Sequence, residues 1–93
     1  MLQKQLRVER IEKMEEYFDA LLDAVTKGMK AVEEKADILR ELTGYYDGGL
    51  WLSDYEADER GELPGDLKRG VLSEDGVYNL LCDIDKLRKR TAG

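Results

Sequence analysis

The residues best equipped for chemistry in this chain are acids. Asp54, Glu56, Asp58 and Glu59 crowd together, and Asp54-x-Glu56-x-Asp58 has the alternating start of a calcium loop. The pattern then breaks. Glu59 stands where such a loop needs its turn glycine, and Gly65 where the closing bidentate glutamate belongs. On a helix, Asp54 and Asp58 share a face while Glu56 points elsewhere, which leaves at most a weak divalent-ion site. Paired carboxylates can also run general acid–base chemistry. With 21 Asp and Glu in 93 residues, however, no pair is singled out. The ordinary role of such acids is to cap helices or meet nearby bases, and Lys68 and Arg69 are close in sequence.

Other catalytic chemistry finds little support. The chain has no histidine, which excludes Ser-His-Asp and Cys-His machinery and ordinary His/Cys zinc sites. Cys82 is the one cysteine, sits one position off an apolar helix face, and has no evident base to lower its pKa, so it reads as a structural thiol. Gly65 and Gly70 have the spacing of a phosphate loop, but Val71-Leu72 occupy the places of its lysine and hydroxyl. No cofactor or metal is therefore expected, and neither is an enzyme. Trp51 and Tyr55, four apart, with Tyr45 and Tyr46 nearby, either anchor a protein partner or plug one end of a helix bundle. Together with Asp58, Glu59, Lys68 and Arg69 they form the candidate interaction surface: Tyr45, Tyr46, Trp51, Tyr55, Asp58, Glu59, Lys68 and Arg69.

The elements that must position these groups are helical. Charged residues make up 39% of the chain and only one proline is present, which suits helices with wide water-facing sides. Ile11, Met14, Phe18, Leu21, Val25, Val32, Leu39 and Leu42 follow the three-four spacing of an apolar, coiled-coil-like stripe. The register fails at Gly28 and Lys35, where Met29 and Ala36 widen the stripe to cover the gaps. Glu9/Lys13 and Asp23/Lys27 sit four apart on the charged side. Gly44 suits the left-handed residue after a helix end. The expectation is one helix over about 3–43; the alternative is a bend at Gly28. Ser53-Asp54-Tyr55-Glu56 reads as a capping box opening a short helix over about 54–60, ended by Gly61. Leu63-Pro64-Gly65 is a turn, and Asp66–Arg69 can add one helical turn. Ser73 reads as the N-cap of a last helix over about 74–90, with Leu72 and Val77 as its hydrophobic staple and Val77, Leu80, Leu81, Ile84 and Leu87 as its buried face.

The fold class is thus all-α, a single domain over 1–93. A straight first helix of that length spans about 60 Å at 1.5 Å per residue, more than the last helix can cover. Its uncovered stripe would call for a second chain, so a helical bundle completed by homodimerisation through the N-terminal helix follows, parallel or antiparallel. A bend at Gly28 would give a monomeric three-helix bundle instead.

The run Tyr45-Tyr46, Trp51, Asp54-Tyr55-Glu56-Ala57-Asp58-Glu59, Gly61-Glu62-Leu63-Pro64, Asp66 through Asp75 and Tyr78-Asn79-Leu80-Leu81 resembles a family of short bacterial proteins known only as a domain of unknown function. Glu9-Arg10-Ile11-Glu12-Lys13-Met14 in the first half is similar to that family too. The resemblance implies a variable charged amphipathic first helix followed by this block, and it carries no activity and no functional residue.

Charge narrows the partners. The net charge of −6 arises within residues 44–75, where nine acids face three bases. Phosphate-backbone binding needs clustered Lys and Arg, so no nucleic acid is expected; Arg88-Lys89-Arg90 is a basic helix end favoured by the helix dipole. No run approaches the roughly 18 apolar residues of a membrane span, and Met1–Arg7 lacks the apolar core of a signal peptide. No membrane is expected, and the cytoplasm is the expected compartment. The leading expectation is a non-enzymatic homodimeric interaction or structural module. The alternatives are an acidic decoy or inhibitor of a nucleic-acid-binding protein, and a weak divalent-metal site with a minor enzymatic role.

Overall fold

The computed structural model describes residues 2–92, with side chains described from 5 to 90. Among the described residues five α-helices follow one another: α1 Leu2–Lys27, α2 Met29–Glu34, α3 Ala36–Asp47, α4 Leu50–Glu59 and α5 Gly76–Ala92. A single 3₁₀ turn, Gly70–Leu72, lies between α4 and α5. There is no strand among the described residues, and the all-α expectation holds.

The continuous helix over about 3–43 does not form. The chain leaves the helical region at Gly28, whose φ of 116° and ψ of 178° belong to a conformation open essentially to glycine alone. It breaks again at Lys35, with φ −110° and ψ 28°. The chain folds back, so α3 runs antiparallel along α1. Lys13 and Glu41, which a straight helix would hold about 42 Å apart, approach to 3.9 Å. The physical reason is burial. The bend gives up a few helix hydrogen bonds, each worth about 0.5–1.5 kcal/mol net. In return the stripe of Ile11, Met14, Phe18 and Leu21 meets Val32, Leu39 and Leu42 within one chain. Full burial of one such side chain is worth about 1.5–3 kcal/mol, so several together outweigh the break. The stripe that argued for a second chain is covered by the chain's own residues.

The third layer is α5, which sets Val77, Leu80 and Ile84 into the same core, with Leu81 and Leu87 at its edge. The body is therefore a three-helix bundle of α1, α2–α3 and α5, about 49 Å long and 20–22 Å across. The short α4 and the 3₁₀ turn cover the end of the bundle where α3 finishes.

Several local expectations shift by a turn. Gly44 does not end its helix; α3 continues to Asp47, and the Gly48 N–H closes on the Gly44 carbonyl at 2.8 Å. The reversal falls on Gly49, whose φ of 93° is left-handed. Starting there, α4 opens at Leu50, so Ser53 lies inside it with its N–H on the Gly49 carbonyl at 3.1 Å, and the capping box is not made. Gly61, with φ 71°, does follow the helix end. Asp66–Arg69 forms no helical turn; the turn appears at Gly70–Leu72 instead. Ser73 caps no helix either: its hydroxyl donates to the Gly70 carbonyl at 2.8 Å, and α5 begins at Gly76. Leu72 and Val77 are both buried, but with α5 opening at Gly76 they do not flank its cap, and the expected staple is not made.

Candidate interaction surface

The Gly48-Gly49 reversal lays α4 against the bundle so that its helical period sorts its residues into two jobs. Asp54 and Ala57 face inward and are fully buried. Trp51 and Tyr55, four apart, lie on another side, half-buried.

Asp54 is the one buried charge among the described residues, and it is heavily engaged. Arg10 donates to it through Nε at 2.9 Å and Nη2 at 2.5 Å, the forked geometry that makes Arg–carboxylate pairs strong. The Tyr45 hydroxyl donates at 2.7 Å. Arg7 Nε lies 3.1 Å from Oδ1 as an ion pair without hydrogen-bond alignment, and its Nη2 donates to Ser53 Oγ at 3.1 Å. The hydrogen bond from Arg10 to Asp54 strengthens the guanidinium's hold on its proton. Burial, and then its bond to the carboxylate, push the Tyr45 phenol well above its ordinary value. The cluster ties the start of α1 to the end of α3 and the middle of α4. Its chemistry is structural: the carboxylate has no exposed surface to offer a substrate.

A second tie centres on Val71, which is fully buried. Its N–H donates to Glu15 Oε1 at 2.7 Å, and its carbonyl accepts from Trp51 Nε1 at 2.8 Å. Two side chains from α1 and α4 thereby satisfy both backbone groups of a residue outside the regular helices. A third tie is Arg69, which pairs with Asp58 and donates from Nη2 to the Pro64 carbonyl at 2.8 Å, pinning the loop after α4.

The aromatic residues form a strip. Trp51 stacks on Tyr55 with centroids 5.1 Å apart at 18°, and Tyr46 meets Trp51 edge-on at 5.1 Å and 67°. The Tyr55 hydroxyl donates to Glu74 at 3.3 Å. Its phenol is pushed up to about 12, first by a hydrogen bond to Glu59 and then by desolvation and the negative charges of Glu59 and Glu74. Tyr78 is 58% exposed, and its phenol is raised first by a hydrogen bond with Cys82 and least by Tyr46.

The structure therefore divides the eight candidate residues. Tyr45 leaves the surface, since it is 4% exposed and bonded to Asp54. Asp58 and Arg69 satisfy each other and hold a loop. Tyr46, Trp51 and Tyr55 come together, with Glu59 exposed beside them. Lys68 is exposed elsewhere, at a groove between α1 and the Pro64–Lys68 loop. The divalent-ion reading of Asp54, Asp58 and Glu59 is corrected: arginines occupy the first two. Among the described residues no group of three or more His, Cys, Asp or Glu is placed to hold a metal. Sequence reasoning missed Arg7, Arg10 and Glu15, which had no local signal, since Arg10 and Asp54 lie 44 positions apart. It also missed the exposure of Leu50, Leu52 and Tyr78.

Two grooves remain. One, about 570 Å³, is lined on α1 by Glu12, Glu15, Glu16 and Asp19 and opposite by Asp66 and Lys68. The other, about 530 Å³, runs between α3 and α5 past Leu39, Arg40, Ile84 and Arg88. No described helix is long and apolar enough to cross a membrane.

This chain belongs to the domain-of-unknown-function family DUF4298, whose match spans residues 8–91. That bears out the resemblance carried by the Tyr45–Leu81 block at the level of the family. No curated protein and no solved structure matches it.

Proposed function

We propose that the protein is a non-enzymatic interaction module whose binding face is the aromatic strip of Tyr46, Trp51 and Tyr55 with the exposed Tyr78 beside it. The observation that supports this reading is the stack itself. Trp and Tyr dominate the energetics of protein interfaces. Here their polar ends are held by intramolecular bonds to Val71 and Glu74, while the rings stay half-exposed. A strip fixed in advance loses little side-chain entropy on docking. Of the neighbouring acids, Asp54 and Asp58 are committed to arginines and Glu74 accepts from Tyr55, which leaves these three little scope as catalytic groups.

The test compares wild type with Tyr78→Ala and Tyr55→Ala in quantitative affinity capture from a native lysate, with circular dichroism confirming the fold. Partners lost from both variants support the strip. An identical set of partners on all three proteins refutes it.

The acidic groove favours a second reading, that of an acidic decoy for a basic surface. Glu12, Glu16 and Asp19 on one wall and Asp66 on the other present like charge across about 570 Å³. Binding of that kind weakens with salt. Capture that is unchanged between about 50 mM and about 500 mM salt would speak against it.

A further inference from the structure

We infer that Gly28 is a hinge at which α1 can swing out of its own bundle and pack on the rest of a second copy of this chain, giving a reciprocally exchanged homodimer. The proposal is independent of the aromatic strip.

Three observations carry it. First, the break between α1 and α2 rests on one residue. Gly28 holds φ 116° and ψ 178°, and a Cβ built on it meets nothing within 4 Å, so alanine here is opposed by the backbone conformation alone and not by a clash. Secondly, the helix is ready on both sides. The Gly28 N–H already bonds the Ala24 carbonyl at 3.0 Å, and the Val32 N–H bonds the Gly28 carbonyl at 3.3 Å, as in a continuous helix. The apolar register also passes from Leu21 and Val25 to Val32 without a phase change. The residues beside the hinge, Ala24 and Val25 before it and Met29, Ala31 and Val32 after it, belong to the core and regain their cover from the second copy on exchange, while the break at Lys35 stays as it is. Thirdly, polar ties that hold the N-terminal half of α1 reach distant parts of the chain. Arg10 meets Asp54, Lys13 meets Glu41 and Glu15 meets Val71. None of these depends on which chain supplies α1.

Exchange of an identical element makes a dimer without inventing an interface. The closed monomer and the exchanged dimer differ in the hinge and in the entropy of association. The balance between them is therefore set by protein concentration and by what Gly28 tolerates. Alanine at this position opposes the positive φ of the closed form and favours continuous helix.

The test measures the mass of wild type and Gly28→Ala by size-exclusion chromatography with light scattering, from low micromolar to about millimolar concentration. Wild type should be monomeric at the low end, with dimer growing at the high end. Gly28→Ala should tighten dimerisation by about a hundredfold or more, because each dimer relieves two hinges. To show exchange, chains in natural-abundance and ¹⁵N-labelled form are unfolded together and refolded at high concentration. They are then treated with a carbodiimide, which joins Lys13 to Glu41 across their ion pair. Mass spectrometry of the dimer fraction should find linked peptides carrying one light and one heavy partner. Gly28→Ala that folds and stays monomeric at every concentration overturns the proposal. So does a dimer whose Lys13–Glu41 links all lie within single chains. Should Gly28→Ala not fold, the isotope experiment on wild type decides by the same criterion, and a wild type still monomeric at millimolar concentration also counts against exchange.

Discussion

Replacing Asp54 with asparagine tests the account of what holds α4 on the bundle. The change keeps the shape and removes the charge that Arg10, Arg7 and the Tyr45 hydroxyl all address. Removing one partner of a fully buried ion pair costs about 3–5 kcal/mol, because the other charge is stranded. Here the two arginines are about a quarter exposed and can turn part of their charge to water. That lowers the expected cost to about 2–4 kcal/mol. A domain of this length has roughly 5–14 kcal/mol in total, so Asp54→Asn should fold but melt lower, at about 4–8 °C per kcal/mol. The measurement is urea unfolding followed by circular dichroism at low and high salt, within a double-mutant cycle with Arg10→Met. Since Asp54 and Arg10 share one hydrogen-bonded fork, the double variant should cost at least about 1 kcal/mol less than the sum of the singles. A cost for Asp54→Asn below about 0.5 kcal/mol, or single effects that add within about 0.3–0.5 kcal/mol, would refute the reasoning.

Three further outcomes follow from the same geometry. Glu15→Ala strands the buried Val71 N–H and should cost about 1–3 kcal/mol, whereas Glu15→Gln keeps an acceptor oxygen and should recover most of it in the same unfolding assay. The Tyr45 phenol is raised in the folded state, so its contribution to stability is fully present below about pH 10, the unfolded value, and is lost as pH rises toward the folded one. Urea midpoints should therefore fall above about pH 10, and less steeply in Tyr45→Phe. Absorbance of phenolate near 295 nm should show fewer tyrosines titrating in the native chain than in urea. Gly76→Ala places a Cβ 2.4 Å from Ser73 Oγ and 3.0 Å from the Gly70 carbonyl, with Phe18 at 3.2 Å. The serine can rotate but the carbonyl cannot, so a loss of about 1–3 kcal/mol is expected, read as a lower melting temperature.

Much of the helical content was legible because it is written in local patterns. The apolar face of α5 and the stop at Gly61 each depend on residues a few positions apart. Charge pairs divide by the same rule. Lys27 does meet Asp23 four positions back, at 2.8 Å, whereas Lys13 crosses to Glu41 on α3. The stripe over 11–42 shows the limit of such patterns. It is equally a straight helix wanting a partner chain and a hairpin wanting itself. The positions where its register fails, Gly28 and Lys35, are the positions where the backbone breaks. The pattern marked the breaks but not whether the chain would use them.

The candidate site divides in the same way. That Trp51 and Tyr55 share a face follows from helical spacing alone, and their stacking is the result. Whether an acid near them is a ligand, a cap or a buried strut depends on which arginine arrives from elsewhere in the fold. Sequence by itself determined that this chain is helical, acidic and without histidine chemistry, because composition and short-range periodicity decide those things. Tertiary structure decided that the first helix folds back at Gly28, since burying the stripe outweighs a few helix hydrogen bonds. It also turned Asp54 from a possible metal ligand into a buried ionic strut. A contact between residues 44 positions apart is made by the whole bundle and is foreshadowed by no neighbour in the chain.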